Sequence, residues 1–218
     1  MIDYPIIEVK NHIFSFLINL QVDNIVFISS EIDIIFPEKY LHLRRTIMKR
    51  IMVIGVSSGV GKSTFARQLG EKLSIPVYHL DQLFWKPGWV EAALEEFSEA
   101  QKSIVKEEKW IMEGNYSHTF SIRAEHADTI IYLELPLFIC LYRVLKRWLL
   151  NRGKTRIDMG AGCPEKIDWA FIKFILTTYY PRKKTMKSQF QHFQTIGRKK
   201  KIIVLKGKRE IKNFINGI

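Results

Sequence analysis

One ten-residue segment constrains the fold of this chain more than any other: Gly55-Val56-Ser57-Ser58-Gly59-Val60-Gly61-Lys62-Ser63-Thr64. It follows an apolar run at 51–54, and it precedes Phe65, Leu69 and Leu73, whose four-residue spacing predicts a helix. Small residues allow consecutive backbone N–H groups to converge on phosphate oxygens, and the N-terminus of a helix adds positive partial charge. The segment therefore predicts a phosphate-binding loop between a strand and a helix.

The second half of the segment matches the pattern G-x-x-x-x-G-K-[ST], and the first half departs from it. Gly61-Lys62-Ser63 supply the glycine, a lysine for the β- and γ-phosphates and a hydroxyl for Mg²⁺. Five places before Gly61 the chain has Val56, and the glycine lies one place earlier at Gly55. The alternative is a glycine-rich turn that binds nothing. We predict nucleotide binding by Gly55, Ser57, Ser58, Gly59, Val60, Gly61, Lys62, Ser63 and Thr64.

Four further apolar runs, at about 76–80, 110–112, 129–133 and 202–205, predict strands. Helices are predicted at about 94–107, 137–150 and 209–216, with one or two more over 168–194 that break near Pro181. Short, almost wholly apolar strands that alternate with helices are typical of a parallel sheet covered on both faces. The predicted fold class is α/β with a five-stranded parallel sheet.

Acidic residues follow three of these strands: Asp81, Glu113 and Glu134. Ligands of open parallel sheets bind outside the carboxyl ends of the strands. A carboxylate there can hold Mg²⁺, orient an acceptor hydroxyl or accept its proton. Asp81 is followed by bulky rings that suit an acceptor pocket, although a helix N-cap or an Asx-turn would also explain it. For Glu113 two interpretations stay open: a metal or substrate role, and no such role. Glu134 is expected to face solvent or cap the next helix.

The net charge of +12 is concentrated in the C-terminal third. Residues 141–218 contain 20 Lys/Arg and 4 Asp/Glu, whereas residues 1–140 contain 14 and 18. Arg143 and Arg147 lie four apart on a predicted helix and project from one face, and Arg152 begins a glycine-containing basic loop. Arginines on a closing lid stabilise a transferring phosphoryl group, so we predict such a lid over about 143–166. Nucleic acid or solvent are the alternative partners of the remaining cations.

Residues 1–47 differ in composition from the rest, with eleven isoleucines, no glycine and no alanine. We predict a domain over 48–218, preceded by an appendage or an over-extended translation start; an extra strand or helix packed on the domain is the alternative. The longest stretch without Asp, Glu, Lys or Arg is 11–22, too short to span a bilayer. The two cysteines lack C-x-x-C spacing and cannot form a disulfide framework, which favours a cytoplasmic location without a membrane partner. The histidines are scattered, which argues against a zinc site.

Several of these segments resemble the bacterial DNA topology modulation (FlaR-like) proteins, which are related to adenylate kinases and other small P-loop kinases. The resemblance covers 48–218 and is carried by 55–70, by His79-Leu80-Asp81-Gln82-Leu83-Phe84-Trp85-Lys86-Pro87-Gly88-Trp89, by Trp110-Ile111-Met112-Glu113-Gly114-Asn115-Tyr116, by 123–131, and by Arg152-Gly153-Lys154-Thr155-Arg156 with Gly162-Cys163-Pro164-Glu165-Lys166. It implies a P-loop core with strand order 2-3-1-4-5, ATP or another nucleoside triphosphate, and Mg²⁺. Val56 departs from the family pattern, as does Glu113, where such proteins often carry Asp. The family name describes a cellular phenotype, so it does not identify an acceptor.

Together, these features predict a P-loop phosphotransferase that passes the γ-phosphoryl group of ATP to a small hydroxyl, nucleoside or nucleotide acceptor. The predicted catalytic residues are Lys62, Asp81, Arg143, Arg147 and Arg152; the predicted metal ligands are Ser63 and Asp81; and the predicted acceptor-binding residues are Asp81, Glu113 and Arg123. Two alternatives stay open. One is a nucleotide-dependent regulatory ATPase with a protein partner, and the other is a DNA-binding protein that uses the basic segment.

Overall fold

The computed structural model describes residues 48–218, so the predictions made for residues 1–47 lie outside the described residues. The strands are β1 (Arg50–Gly55), β2 (Val77–His79), β3 (Trp85–Lys86), β4 (Val90–Glu91), β5 (Trp110–Glu113), β6 (Thr129–Glu134) and β7 (Lys201–Lys206). The helices are α1 (Lys62–Leu73), α2 (Leu80–Phe84), α3 (Leu94–Ile104), α4 (Phe120–His126), α5 (Leu137–Asn151), α6 (Trp169–Thr195) and α7 (Gly207–Asn216), and a 3₁₀ turn covers Ser117–Thr119.

Five strands form one parallel sheet in the order β2-β5-β1-β6-β7. Counted along the sheet strands alone, this is the order 2-3-1-4-5, and the predicted α/β fold is confirmed. In the central strand β1 the side chains of residues 51–54 are all fully buried. Because successive side chains of a strand point to opposite faces, both faces of the sheet are covered.

The helices form two groups around this sheet. Helix α1 packs against β1, β2 and β5, and it also contacts α7, which lies against β6 and β7. Phe65 of α1 and Phe214 of α7 stack with ring centroids 5.9 Å apart. In the second group α4 contacts β1, α3 and α6, and α5 packs on α6. Helix α1 is therefore placed so that its N-terminus meets the carboxyl end of the sheet.

Helix α6 continues through Pro181 without the predicted break. A proline inside a helix removes one backbone hydrogen bond and costs about 3 kcal/mol in isolation. Four buried side chains fall on one face of this helix, two on each side of the proline: Ile175, Tyr179, Met186 and Phe193. We attribute the continuity of α6 to this packing, which fixes both halves of the helix against the core, where local preference alone would end it.

Several short elements lie where the sequence analysis predicted none: helix α2, the β3–β4 hairpin, the 3₁₀ turn and helix α4. Helix α2 begins directly after β2, so Asp81 lies in a first helical turn. The β3–β4 hairpin turns at Gly88 and Trp89, both of which have positive φ. The rings of Trp85 and Trp89 pack with centroids 5.4 Å apart and close the hairpin. Among the described helices, none combines the length and the apolar character needed to cross a membrane.

Candidate active site

The loop between β1 and α1 curls over the N-terminus of helix α1. Gly61 caps the helix with a φ of 103°. Gly59 has a φ of 80°, and a Cβ atom on it would lie 2.2 Å from the carbonyl oxygen of Cys140 in α5. Only glycine permits so close an approach at that conformation. Nζ of Lys62 lies 3.5 Å from the carbonyl oxygen of Ser57, so the lysine folds back over the loop. The arrangement suits a phosphate cradle.

Val56, the departure from the loop pattern, belongs to the core. Its side chain is fully buried, and its N–H donates to the carbonyl of Leu133 in β6 at 2.9 Å. A Cβ atom on Gly55 would lie 2.7 Å from Cγ1 of Val60. Packing at the point where the loop leaves the sheet therefore explains why the glycine stands at Gly55 and a valine at Val56. The rest of the loop keeps the expected pattern.

Asn115 is hydrogen-bonded to the first residue of this loop, a contact that was not predicted from the sequence. Its Nδ2 donates to the carbonyl of Gly55 at 2.7 Å, and its Oδ1 accepts from the N–H of Gly55 at 2.9 Å. Asn115 follows β5, the neighbour of β1 in the sheet. Only the register of these two strands brings the amide to the loop, so no local pattern reveals the contact.

Arg123, a predicted acceptor-binding residue, lies beneath the turn at 114–116. It is fully buried, and its guanidinium donates to the carbonyls of Gly114 (3.0 Å) and Tyr116 (2.9 Å). Burial lowers its pKa to about 9, although the charge of Glu113 opposes that change. Helix α4 directs the side chain into the core. The structure therefore gives Arg123 the geometry of a positioning residue for this turn.

A cleft of about 690 Å³ opens above the loop at the carboxyl end of the sheet. Its lining includes loop residues 58–64 and residues from five other parts of the chain: Asp81, Glu113, Arg143, Arg147, Arg156, Asp158, Lys208 and Lys212. The cleft thus joins the predicted phosphate loop, two predicted strand-end carboxylates and two of the three predicted arginines. Arg156 belongs to the predicted lid but was given no role of its own, and Asp158 and the two lysines of α7 were not singled out from the sequence.

Asp81 lies in the first turn of α2 with its Oδ1 accepting a hydrogen bond from the Tyr116 hydroxyl at 2.7 Å. Burial and the nearby charge of Glu113 raise the pKa of Asp81, and Tyr116, Lys62 and an arginine partly offset the rise. Oε2 of Glu113 lies 2.9 Å from Nδ1 of His79. Asp81 is half-buried, and a carboxylate with a raised pKa beside the predicted phosphate loop is suited to accept a proton from a hydroxyl group.

Two predicted arginines of α5 reach the cleft. Nη1 of Arg143 donates to the carbonyl of Val60 in the phosphate loop at 3.0 Å. Nε of Arg147 donates to Oε1 of Glu165 at 2.9 Å. The side chain of Glu165 is almost completely buried, so this ion pair has little solvent screening. Both arginines approach the phosphate loop from the same side.

Arg152 lies elsewhere. Helix α5 ends at Asn151, and the exposed Arg152 guanidinium lies 5.5 Å from the ring centroid of Trp148. Arg156, four residues further on, lines the cleft instead, and its Nε lies 2.6 Å from Oε2 of Glu165. The chain leaves the helix before Arg152, so helical spacing no longer predicts where its side chain points. Arg156, which lines the cleft, is therefore better placed than Arg152 for the predicted role of stabilising the transferring phosphoryl group.

Asp158 faces the phosphate loop from the basic loop at 152–165. Its Oδ2 accepts from Nη1 of Arg156 at 2.8 Å, and its carboxylate interacts with the side chain of Ser63. Burial opposes ionisation of this carboxyl, but Arg156 and Ser63 outweigh it and lower its pKa. A carboxylate from a loop distant in sequence thus meets the hydroxyl predicted to bind Mg²⁺.

The same basic loop is fastened to the β3–β4 hairpin. The N–H of Gly88 donates to the carbonyl of Gly162 at 3.0 Å. Gly160 packs so closely that a Cβ atom on it would lie 1.9 Å from the carbonyl oxygen of Trp85. The loop predicted as part of a lid therefore forms one wall of the cleft, and the aromatic hairpin supports it.

The residues present fit a magnesium–triphosphate ligand. The Ser57 hydroxyl is buried in the loop and has no hydrogen-bond partner within the part of the chain that the structure describes. In residues 48–218 no group of three or more His, Cys, Asp or Glu side chains is arranged to hold a metal by itself. Mg²⁺ commonly takes one or two carboxylates together with substrate phosphates and water. Ser63 with a nearby carboxylate matches that donor set.

No family model matches the chain, and no curated protein matches it either. Several solved structures resemble it. Shikimate kinase from Bacteroides thetaiotaomicron is 17% identical with a TM-score of 0.45, over 78% of this chain and 95% of that one. A gluconokinase from Sinorhizobium meliloti 1021 is 11% identical with a TM-score of 0.44, over 78% and 89%. Deoxyadenosine kinase from M. mycoides with bound dATP is 14% identical with a TM-score of 0.41, over 77% and 97%.

Proposed function

We propose that this protein is a P-loop kinase that transfers the γ-phosphoryl group of ATP to a hydroxyl group of a small acceptor. One observation carries the proposal: Lys62, Asp81 and Arg147 line a single cleft at the carboxyl end of a parallel sheet. This combination provides a cation for the phosphates, a carboxylate for the acceptor and a further cation for the charge that develops during transfer. The resemblance to FlaR-like proteins supports the same class of reaction.

In this proposal the loop N–H groups and Lys62 bind the β- and γ-phosphates. Mg²⁺, when bound, neutralises charge on those phosphates. The acceptor oxygen attacks the γ-phosphorus, the bond to the β–γ bridging oxygen breaks, and ADP leaves. The acceptor proton passes to Asp81, which Tyr116 orients. Arg147 and Arg156 lie on the cleft wall where they can stabilise the transferring group.

The placement of the basic residues supports a kinase over a duplex-binding protein. Lys200 belongs to the basic run at 198–201, yet it is buried and donates to the carbonyls of Phe193, Ile196 and Arg198. Arg182 donates to the carbonyl of Val56 at 3.1 Å. These cations satisfy main-chain groups within the domain. Part of the positive charge that would otherwise suggest a nucleic-acid surface is therefore used internally.

The test is a screen for ATP consumption with hydroxyl, nucleoside and nucleotide acceptors. We expect one class to stimulate turnover, Asp81→Asn to abolish the stimulation while ATP still binds, and Arg147→Ala to depress turnover far more than ATP affinity. Slow hydrolysis that no acceptor stimulates would indicate the regulatory ATPase. Sub-micromolar duplex binding that weakens steeply between two salt concentrations, with turnover indifferent to Arg147→Ala, would indicate the DNA-binding protein.

A further inference from the structure

Asp158 occupies a position in the cleft that the proposed reaction has not used. It lines the same cavity as Ser63 and Lys62, and its carboxylate lies near enough to the Ser63 side chain to interact with it. Asp158 is only 9% exposed, so its carboxylate is largely shielded from bulk solvent. It shares the cleft with the phosphate loop. The Ser63 hydroxyl is the group that the loop pattern assigns to Mg²⁺. The carboxylate placed beside that hydroxyl comes from the basic loop.

Asp81, the carboxylate predicted from sequence to bind the metal together with Ser63, has other partners. Its Oδ1 accepts the hydrogen bond of Tyr116, and it shares its surroundings with Glu113. That position, at the end of β2, suits a group that receives a proton from the acceptor. One carboxylate for the acceptor and a different one for the metal would divide the two tasks between two sides of the cleft.

The partners of Asp158 connect this site to the arginines. Nη1 of Arg156 donates to Oδ2 of Asp158 at 2.8 Å, and Nε of Arg156 lies 2.6 Å from Oε2 of Glu165. The other oxygen of Glu165 accepts from Arg147 at 2.9 Å. Two arginines and two carboxylates thus form one chain of ion pairs along the wall. A cation that draws Asp158 away from Arg156 leaves Nη1 of that guanidinium free for phosphoryl oxygens, while its Nε stays paired with Glu165.

We infer that Asp158 is a metal-binding residue of this cleft, which together with Ser63 holds the Mg²⁺ of the bound nucleotide and in doing so releases Nη1 of Arg156 toward the transferring phosphoryl group. The inference rests on the proposed function, because it assigns one residue within the same site. Because Asp158 belongs to the basic loop, metal binding would require that loop to lie in its place along the cleft.

The experiment is calorimetry of ATP binding to the full chain, once with excess Mg²⁺ and once with EDTA. We expect Asp158→Asn to weaken Mg²⁺–ATP binding by roughly tenfold or more, in line with the loss of a group that orients a metal. With EDTA, the affinity of the variant should stay at or above that of the parent chain. Asp168→Asn is the matched control, because Asp168 caps α6 at an exposed position and an asparagine can still cap it.

A second measurement separates metal binding from support of Arg156. Ser63→Ala should lose the Mg²⁺-dependent part of ATP affinity, and adding Asp158→Asn to it should cost little more, since both groups serve one ion. Asp158→Glu should recover part of the Mg²⁺ dependence and controls for a folding defect in the asparagine variant. Electron paramagnetic resonance of Mn²⁺ with ATP should show weaker retention of the ion by Asp158→Asn.

Three outcomes overturn the inference. Equal weakening with Mg²⁺ and with EDTA would show that Asp158 only positions Arg156. Unchanged binding in both conditions would show that Asp158 has no part in nucleotide binding. Failure of the parent chain to bind ATP in either condition would overturn the proposed function itself, and this inference with it.

Discussion

Asn115 and Gly55 are joined by two hydrogen bonds, of 2.7 and 2.9 Å, in which the side-chain amide satisfies both main-chain groups of the glycine. The contact ties the end of β5 to the point where the phosphate loop leaves β1. A side chain that pairs with both groups fixes the orientation of that peptide, and thereby the direction in which the loop begins.

We expect Asn115→Ala to weaken ATP binding and to lower the free energy of unfolding by roughly 1–3 kcal/mol, because it leaves a main-chain donor and an acceptor unpartnered. Calorimetry and thermal denaturation measure the two effects. Asn213→Ala, at an exposed position of α7, is the control and should change neither. Unchanged ATP affinity in Asn115→Ala would show that the loop keeps its shape without the amide.

Lys62→Ala should reduce triphosphate affinity or turnover by roughly tenfold or more without unfolding the domain, because it removes the cation that lies over the loop. Lys72→Ala, at an exposed position near the end of the same helix, controls for charge. Calorimetry with ATP reports the result. Equal affinities of the Lys62 variant and the parent chain would disprove the phosphate-loop assignment.

The stability of the protein should depend on the ionisation of Asp81. Its pKa in the folded chain is raised above the ordinary value of 3.8, mainly by burial and then by the charge of Glu113. Stability from this group is present in full below that ordinary value and is lost as the pH rises through the folded pKa. Asp81→Asn should therefore melt at a higher temperature than the parent chain near neutral pH, and the difference should close in acid. A difference that grows in acid would contradict the assignment.

Tyr116→Phe should move the acid limb of the pH–rate profile to higher pH. The tyrosine hydroxyl donates to ionised Asp81 and lowers its pKa, so its removal raises that pKa further. Turnover on the plateau at higher pH should fall less than turnover in acid. Tyr142→Phe, at an exposed position of α5, is the control. A uniform loss at every pH would assign Tyr116 a packing role only.

Gly160→Val should displace the basic loop from the hairpin, because its Cβ atom would lie 1.9 Å from the carbonyl oxygen of Trp85. We expect turnover to fall by about tenfold or more and ATP affinity to fall less, since small misplacements of catalytic groups are costly. Faster proteolytic cleavage within 152–165 should accompany the loss. Ala161→Val, at an exposed neighbouring position, should leave turnover and cleavage unchanged.

Local pattern was sufficient to predict the sheet and the phosphate loop. The sheet strands are short apolar runs separated by helices, and β1, whose residues 51–54 are fully buried, lies where its composition indicates. The loop follows from glycines, a lysine and a hydroxyl at adjacent positions between a strand and a helix. Asp81 and Glu113 could be predicted as site residues because parallel strands deliver their carboxyl ends to one edge.

Local pattern failed where a side chain's direction depends on a distant partner. Helical spacing brings Arg143 and Arg147 to the cleft, but beyond Asn151 the contacts between the basic loop and the hairpin decide that Arg156 faces inward and Arg152 outward. Pro181 lies inside a helix because buried side chains on both of its sides pack against the core.

The sequence by itself therefore determined the order of the five sheet strands and of the longer helices along the chain, and the position of the predicted phosphate loop, since both arise from periodicity and from adjacent residues. Only the tertiary structure decided that Asn115 holds Gly55, that Arg123 lies under the turn at 114–116, and that Asp158 meets Ser63. The first and the last of these contacts join segments far apart in the chain, and the second joins a helix to the turn that precedes it. Strand register and loop packing bring the partners together, and neither can be predicted from the spacing of neighbouring residues.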